Sequence, residues 1–195
     1  MGDGDCTAGG ASRELCRYRE AVPLSAADIE TAFQALSAEL AARNERAKIL
    51  VTGGAAMVLL FDARESTTAV DAYFVQPEAH VLHDAIAAVA QKLGLPANWL
   101  NEDAKEYLVG ITFGEVLHLS ESLEVLAASR VQLLAMKLSA WRDAVDRADA
   151  KLLLGDMDGR AEEIWAQVKR FIPEREMTKA SFAFRDLWED LYGGP

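Results

Sequence analysis

The segment ILVTGGAAMVLLF, residues 49–61, constrains the fold more than any other part of the sequence. A short apolar run from Lys48 to Thr52 ends at Gly53 and Gly54, and an apolar segment from Ala55 to about Phe61 follows. This order predicts a buried strand, a tight turn and a helix. Glycines at such a turn let the backbone approach a phosphate closely, but a plain strand-to-helix connection selects them equally well.

The segment that follows, TAVDAYFV at residues 68–75, alternates apolar and polar side chains. The alternation predicts a strand with Val70, Ala72 and Phe74 on one face, so that position 69 and Asp71 share the other. Carboxylates on such a face, beside a glycine turn, hold the divalent cations that neutralise phosphates in nucleotidyl transfer. The pattern therefore points to phosphate chemistry.

The rest of the chain indicates an α/β core followed by helices. Helices are expected over residues 26–43, after a capping box at Ser25 and Asp28, and from Pro77 to about Leu93. Residues 97–108 are expected to form a short helical or irregular insert, and residues 116–119 and 123–127 two strands. Four further helices are predicted through residues 131–141, around 146–154, near 160–171 and over 179–191. We expect a flexible leader at 1–20, a core at 21–128 and a helical region at 129–195.

Composition and charge narrow the class of protein. The chain has 195 residues, 51% of them hydrophobic and 26% charged, which suits a globular domain. No apolar run reaches the roughly 18 to 20 residues that cross a bilayer, and the first residues do not resemble a secretory signal. With Cys6 and Cys16 expected to be free thiols, we expect a soluble cytoplasmic protein without membrane contact.

The formal net charge of -11 opposes binding of polyanions unless a local basic patch exists. Two groups of basic residues are candidates, although each is also expected of an ordinary solvated surface. They are Arg43, Arg46 and Lys48, and Lys137, Arg142, Arg147 and Lys151.

Four stretches together resemble a known family. They are VTGGAAM, RESTTAVDA, WLNEDAKEYL and LLAMKLSAWRDAVDRAD, which span most of residues 48–154. They are similar to the minimal nucleotidyltransferases of the polymerase-β-like superfamily, in particular to the AbiEii/MenT-type toxins of toxin–antitoxin systems. The resemblance implies a polymerase-β-like α+β core with a small mixed sheet and a helical C-terminal region. It also implies Mg²⁺-dependent transfer of a nucleotide from an NTP to a hydroxyl, with the 3′ end of tRNA as acceptor and an antitoxin as protein partner.

The resemblance also implies roles for individual residues. Asp71 would bind metal and act in catalysis, Lys137 would contact nucleotide phosphates and act in catalysis, and Arg142 would hold phosphate or substrate. Asp146 or Asp149 would support the site or activate the attacking hydroxyl. The nucleotide would also lie near Gly53, Gly54, Arg64 and Thr67, of which the last two are equally expected to support the turn.

A geometric problem arises from the spacing of four charged residues, Lys137, Arg142, Asp146 and Asp149. On one helix Arg142, Asp146 and Asp149 lie within about 60° of one another, whereas Lys137 lies about 140° from Arg142. An unbroken helix would therefore give a surface ion-pair cluster with Lys137 elsewhere. If Lys137 shares the site, a bend or break must lie between Lys137 and Asp146.

The sequence departs from the family pattern at one position. The family has Asp-x-Asp where this chain has Ala69-Val70-Asp71, so the first metal-binding carboxylate is missing and we expect an impaired enzyme. A third carboxylate has no obvious position; Glu115, Glu121 and Glu124 are equally expected to be solvated strand residues. Ala69 is either a substitution made so that a toxic enzyme could be produced, which the intact neighbouring residues favour, or the mark of a natural pseudoenzyme.

Two other functions remain open. A pseudo-nucleotidyltransferase would bind nucleotide or a partner protein as a regulator. A nucleotidyltransferase that modifies protein hydroxyls would remove the conflict between an acidic surface and an RNA acceptor.

Overall fold

The computed structural model of the chain describes residues 23–76 and 79–193. The predicted leader at 1–20, including Cys6 and Cys16, and the predicted helix start at Pro77 lie outside these residues. The strands are β1 Leu24–Ser25, β2 Ala47–Val51, β3 Ser66–Thr67, β4 Val70–Gln76, β5 Leu100–Asn101, β6 Phe113–Leu119 and β7 Leu123–Ala128. The α-helices are α1 Ala26–Ala42, α2 Gly53–Phe61, α3 Ala79–Leu93, α4 Arg130–Ala140, α5 Ala144–Gly155, α6 Ala161–Val168 and α7 Met177–Tyr192. Within the described ranges, short 3₁₀ helices span Asp103–Tyr107, Lys169–Phe171 and Glu174–Glu176.

The larger sheet in the described part of the chain has five strands in the order β5-β4-β2-β7-β6. β2 pairs antiparallel with β4 and parallel with β7, and β5 runs parallel to β4. β6 and β7 form the predicted hairpin, although β6 begins three residues earlier than expected. The chain is therefore mixed α/β with a mixed sheet, as the sequence predicts, and β1 and β3 form a separate two-stranded sheet.

The local rules that predicted the first helix hold in the structure. The Ser25 hydroxyl accepts from the Asp28 backbone N–H, and the Asp28 carboxylate accepts from the Ser25 backbone N–H. This reciprocal cap satisfies two of the N–H groups that a helix start leaves without partners. The apolar stripe of α1 is buried and contacts α3 and β7.

Strand β4 has the predicted alternation. Val70, Ala72 and Phe74 are buried, whereas Asp71 and Tyr73 are half-buried on the other side. The strand begins at Val70, so Ala69 lies just before it rather than in it. The neighbouring helix α2 begins at Gly53, two residues earlier than predicted, so the glycine pair forms the first turn of the helix.

The helix that carries Lys137 breaks before it reaches Asp146. α4 ends at Ala140, and Trp141 adopts a left-handed backbone with φ of 40°. α5 then begins at Ala144, where the Asp143 carboxylate accepts from the backbone N–H groups of Val145 and Asp146. The predicted break between Lys137 and Asp146 is thus confirmed.

The hydrophobic core includes buried side chains from both sides of residue 128, and α4 packs against α5 and α7. The predicted division of the chain at residue 128 stays a prediction. In the described part of the chain, every helix is too short or too polar to cross a bilayer.

The start of α2 lies very close to strand β4. Gly53 has a φ of 58°, and a Cβ atom added there would lie 2.8 Å from Asp71 Oδ2. A side chain at position 53 would therefore meet both a backbone penalty and a steric contact. Gly94, at the end of α3, has a similar φ of 69° but open space around the added Cβ within the described residues.

We expect Gly53→Ala to lower the free energy of unfolding more than Gly94→Ala does. Both substitutions place an L residue in the left-handed region, which costs about 1 kcal/mol. The substitution at Gly53 also displaces the Asp71 carboxylate. Urea unfolding of the two variants beside the parent chain measures the difference. Equal losses would mean that Asp71 moves aside freely.

Candidate functional site

One cavity of about 350 Å³ brings together most of the residues that the sequence singled out. It lies among the start of α2, strand β4, the 103–107 segment, the end of α4 and the start of α5. Its size falls in the range of small-molecule sites, which is roughly 300 to 1,000 Å³. The residues that line it are Gly53, Gly54, Asp71, Asp103, Ala104, Glu106, Tyr107, Met136, Lys137, Ala140, Arg142 and Asp146.

The N-terminus of α2 forms one end of this cavity. Helix N-termini carry a partial positive charge and N–H groups that favour anions. The hydroxyl of the N-cap residue Thr52 donates to the Asp71 carbonyl at 3.2 Å, so it turns away from the first helical turn. Gly53 and Gly54 thus present backbone rather than side chains to the cavity.

Arg64 and Thr67 lie beside the glycine turn. A Cβ atom added at Gly54 would lie 2.7 Å from Thr67 Oγ1 and 3.7 Å from Arg64 Nη1. Thr67 also donates to the Ala69 carbonyl at 3.2 Å, and Arg64 forms an ion pair with Asp149. Of the two roles considered for these residues, their contacts favour support of the turn.

Asp71 is half-buried at the cavity wall, next to Gly53. Burial raises the pKa of the Asp71 carboxyl, and the charge of Asp103 raises it further. A hydrogen bond with Asn101 and the charges of Lys137 and Arg142 oppose this shift without cancelling it. The carboxylate thus lies in a place that disfavours its negative charge, which a bound cation would relieve.

Lys137 is buried in an ion-pair cluster. Its Nζ atom lies 3.0 Å from Asp146 Oδ1 and 2.6 Å from Asp149 Oδ2. The three residues are only 7%, 1% and 3% exposed, so the alternative of a surface ion-pair cluster that excludes Lys137 is wrong. The cause is the break at Trp141, which turns α5 back so that its first two turns face the end of α4.

Asp146 binds Arg142 as well as Lys137. The Arg142 guanidinium and backbone N–H donate to Asp146 Oδ2 at 3.0 and 3.1 Å. Burial alone would raise the pKa of Asp146, but these hydrogen bonds and that from Lys137 outweigh it and lower the pKa to about 2. Arg142 lies in the connection between α4 and α5, so it reaches Asp146 across the break and not along a helix.

Asp149 connects two parts of the site. It accepts from Arg64 on the loop between α2 and β3 and from Lys137 at the end of α4. Asp149 is not among the residues that line the described cavity, and of its two partners Lys137 does line it.

Ala69 does not line the described cavity either. Among residues 23–76 and 79–193, no group of three or more His, Cys, Asp or Glu side chains is arranged to hold a metal ion. The residues present therefore do not form a complete cation site.

The 103–107 segment supplies residues that the sequence analysis did not single out. Asp103, Glu106 and Tyr107 all line the cavity. The available signal was the order of elements: these residues follow a short strand, β5, that pairs parallel with β4 and sets Asn101 opposite Asp71. Glu124, by contrast, pairs with Lys48 at 3.1 Å.

The two groups of basic residues are largely neutralised by acidic neighbours. Arg43 pairs with Glu39 and Lys48 with Glu124, while Lys151 pairs with Asp190 at 2.7 Å. Lys137 and Arg142 bind the aspartates described above, and Arg147 stacks over the Trp141 ring at 5.1 Å. Positively charged patches that would attract a polyanion are thus weaker than the sequence suggests.

Comparison with known proteins gives no match: no protein-family model, curated protein or solved structure is similar to this chain. The membership suggested by the four motifs stays a prediction.

We expect Asp146→Asn to destabilise the chain less as the pH falls. The pKa of Asp146 is about 2 when folded and 3.8 ordinarily, so its carboxylate stabilises the folded state above pH 4, and this contribution is lost as the pH falls toward 2. The gap in unfolding free energy between parent and variant should narrow by about 2 kcal/mol across this window. Urea titrations at pH 5, 4, 3 and 2.5 measure it.

Asp156→Asn is the matched control, because Asp156 forms a solvent-exposed pair with Arg130. It should change stability little at any of these pH values. A gap for Asp146→Asn that stays constant from pH 5 to 2.5 would contradict the assignment.

We expect Asp71→Asn to stabilise the chain at pH 7 in the presence of EDTA. The folded state raises the pKa of Asp71, so the parent chain loses unfolding free energy as the pH rises through that pKa. The asparagine side chain does not ionise and avoids this loss. Below pH 3.8 the stability difference between Asp71→Asn and the parent should vanish. Thermal unfolding at pH 7 and pH 3.5 tests this, with Asp158→Asn on an exposed loop as control. An Asp71→Asn protein that is less stable than the parent at pH 7 would overturn it.

Proposed function

We propose that this chain is a nucleotidyltransferase of the polymerase-β-like type that binds a nucleoside triphosphate in the cavity described above. Its form with Asp at position 69 would transfer the nucleotide to a hydroxyl acceptor. Ala69 leaves the present chain impaired. As a toxin-type member it would act on the 3′ end of tRNA and be neutralised by an antitoxin protein.

The observation that carries this proposal is the convergence of the separate motifs on one cavity. Gly53, Asp71, Lys137 and Arg142 come from distant parts of the sequence, yet all of them line it. Each has the chemistry that the proposal requires at that place. An apolar core or a plain strand-to-helix turn would not need a buried lysine and an arginine beside a glycine pair.

The triphosphate would lie between the start of α2 and the cationic groups of Lys137 and Arg142. The N–H groups of α2 and the two cations favour its negative charge. In the transfer step, the acceptor oxygen attacks the α-phosphorus while the bond to the β-phosphate breaks and pyrophosphate leaves. Backbone and side chains here act by positioning and by electrostatic stabilisation.

The contacts of Asp146 and Asp149 favour positioning over proton transfer. Asp146 accepts hydrogen bonds from two cationic residues, and a carboxylate with a pKa of about 2 is a weak proton acceptor. Asp149 is held in the same way by Arg64 and Lys137. We assign Asp146 to holding Lys137 and Arg142 in place, and Asp149 to holding Lys137 and Arg64.

Magnesium would supply charge neutralisation on the phosphates, but the residues of the present chain do not fit it fully. Asp71 offers a carboxylate at the cavity, whereas position 69 offers a methyl group. The present chain therefore offers one carboxylate of the Asp-x-Asp pair.

A second acceptor class is favoured by one observation. The candidate basic residues are paired with carboxylates, and the net charge of -11 disfavours a long RNA. A protein hydroxyl avoids that repulsion. A purely regulatory nucleotide-binding protein would occupy the same cavity without transfer.

Ala69→Asp tests the proposal. With Mg²⁺ and each of the four α-labelled NTPs, we expect it to label either tRNA or a protein fraction, and to do so at least tenfold faster than the present chain. The gain follows from restoring the second carboxylate of a shared cation site. Denaturing gels of total RNA and of total protein distinguish the two acceptors.

Ala69→Asn is the matched control, because it has nearly the size of aspartate without its charge. Labelling by Ala69→Asp but not by Ala69→Asn supports the enzyme. If neither protein labels RNA or protein while both bind NTP, the regulatory alternative replaces transfer. If neither protein binds NTP, the proposed site is wrong.

A further inference from the structure

Two kinds of group line the cavity. The backbone of Gly53 and Gly54 and the cations of Lys137 and Arg142 favour anions, and the carboxylates of Asp71 and Asp146 lie among them. The 103–107 segment and α4 add uncharged side chains. They are Ala104, Tyr107, Met136 and Ala140.

Tyr107 is the aromatic residue among those that line the cavity. It is half-buried, and it ends the 103–107 segment. It lines the same cavity as Arg142, and its charge contributes to the raised pKa of the Arg142 guanidinium, of which the hydrogen bond to Asp146 is the main cause. Tyr107 thus offers an aromatic surface in the cavity that also contains Arg142.

The segment that carries Tyr107 is held from outside the cavity. Arg175 donates to the Glu106 carbonyl at 3.3 Å and to its carboxylate at 3.2 Å. Lys105 lies over the Tyr73 ring at 5.3 Å and pairs with Glu102. These contacts fix the segment against β4 and the 3₁₀ helix Glu174–Glu176, so its inward side chains form a defined surface.

The charges on this segment decide which part of a ligand can lie beside it. Asp103 and Glu106 also line the cavity; Glu106 is paired with Arg175, whereas the carboxylate of Asp103 repels phosphate. The triphosphate is therefore favoured beside Lys137 and Arg142 rather than beside this segment. The neutral part of a nucleotide, its base and ribose, is left to contact the uncharged side chains.

We propose that Tyr107 forms the base-binding surface of the site, with the nucleobase stacked on its ring against the wall of Ala104, Met136 and Ala140. This inference rests on the proposed function and adds a specificity-determining residue to it. The ring makes the site bind nucleotides in preference to inorganic polyphosphates. Stacking on a π-face accepts every base, so the ring favours nucleotides as a class.

Binding to the present chain tests this without catalysis. Calorimetric titrations with ATP, CTP, GTP and UTP, and with inorganic tripolyphosphate as a probe that lacks a base, are compared for the parent, Tyr107→Ala and Tyr107→Phe. We expect Tyr107→Ala to weaken binding of the NTPs on the order of tenfold and to leave tripolyphosphate unchanged. Tyr107→Phe keeps the ring and should bind NTPs within about twofold of the parent.

Tyr192→Ala is the matched control, since Tyr192 is an exposed tyrosine on α7, away from the cavity. This substitution should change neither the affinity for NTPs nor the affinity for tripolyphosphate. Circular dichroism checks that each variant is folded.

Three results would overturn the inference. Equal weakening of NTP and tripolyphosphate by Tyr107→Ala would assign Tyr107 to a structural role. Unchanged NTP binding in a folded Tyr107→Ala protein would exclude stacking. If the parent and the Ala69→Asp protein bind neither NTP nor tripolyphosphate, the proposed function falls as well, whereas the first two results leave it standing.

Discussion

The buried ion pairs of Lys137 with Asp146 and Asp149 are the interaction on which the site depends. An ammonium group in the protein interior loses its hydration, and only close carboxylates and hydrogen bonds compensate for that loss. Both carboxylates are within 3.0 Å of Nζ. They can be there because the chain turns at Trp141 and brings α5 back against α4. The same carboxylates bind Arg64 and Arg142, so one cluster fixes the loop between α2 and β3 and the start of α5.

This cluster gives the cavity groups of both charges. Two cationic residues and the positive end of a helix line it, and so do the carboxylates of Asp71, Asp103, Glu106 and Asp146. Cations, helix N–H groups and uncharged side chains together suit a ligand with a highly charged part and a neutral part, which is the chemistry of a nucleotide. The exterior is different: acidic overall and with paired basic residues, it gives little attraction for a long polyanion. The cavity therefore suits a nucleotide as the donor in the proposed reaction, whereas the surface disfavours a long RNA as the acceptor.

Local patterns predicted most of the elements, since periodicity and capping act within a few residues. The alternation through Val70 and Ala72 and the angular conflict between Lys137 and Arg142 each described a real feature. The 103–107 segment was not predicted to contribute to the site, because its place depends on the parallel pairing of β5 with β4. The sequence likewise did not predict that the basic residues pair with acidic residues far away in the chain, because partners such as Lys151 and Asp190 meet only in the folded protein.

The turn at Trp141 has a consequence for how the chain can be divided. Lys137, Arg142 and Asp146 all follow residue 128, while the glycine pair and Asp71 precede it, and both sets line the same cavity. A fragment that ends at the last strand would lack Lys137 and Arg142. The remaining helices would keep these cations paired with Asp146 and Asp149 but would lack the glycine pair and Asp71. Neither fragment would retain part of the ligand binding of the full chain. Separately expressed halves would regain a binding site only by reassociating.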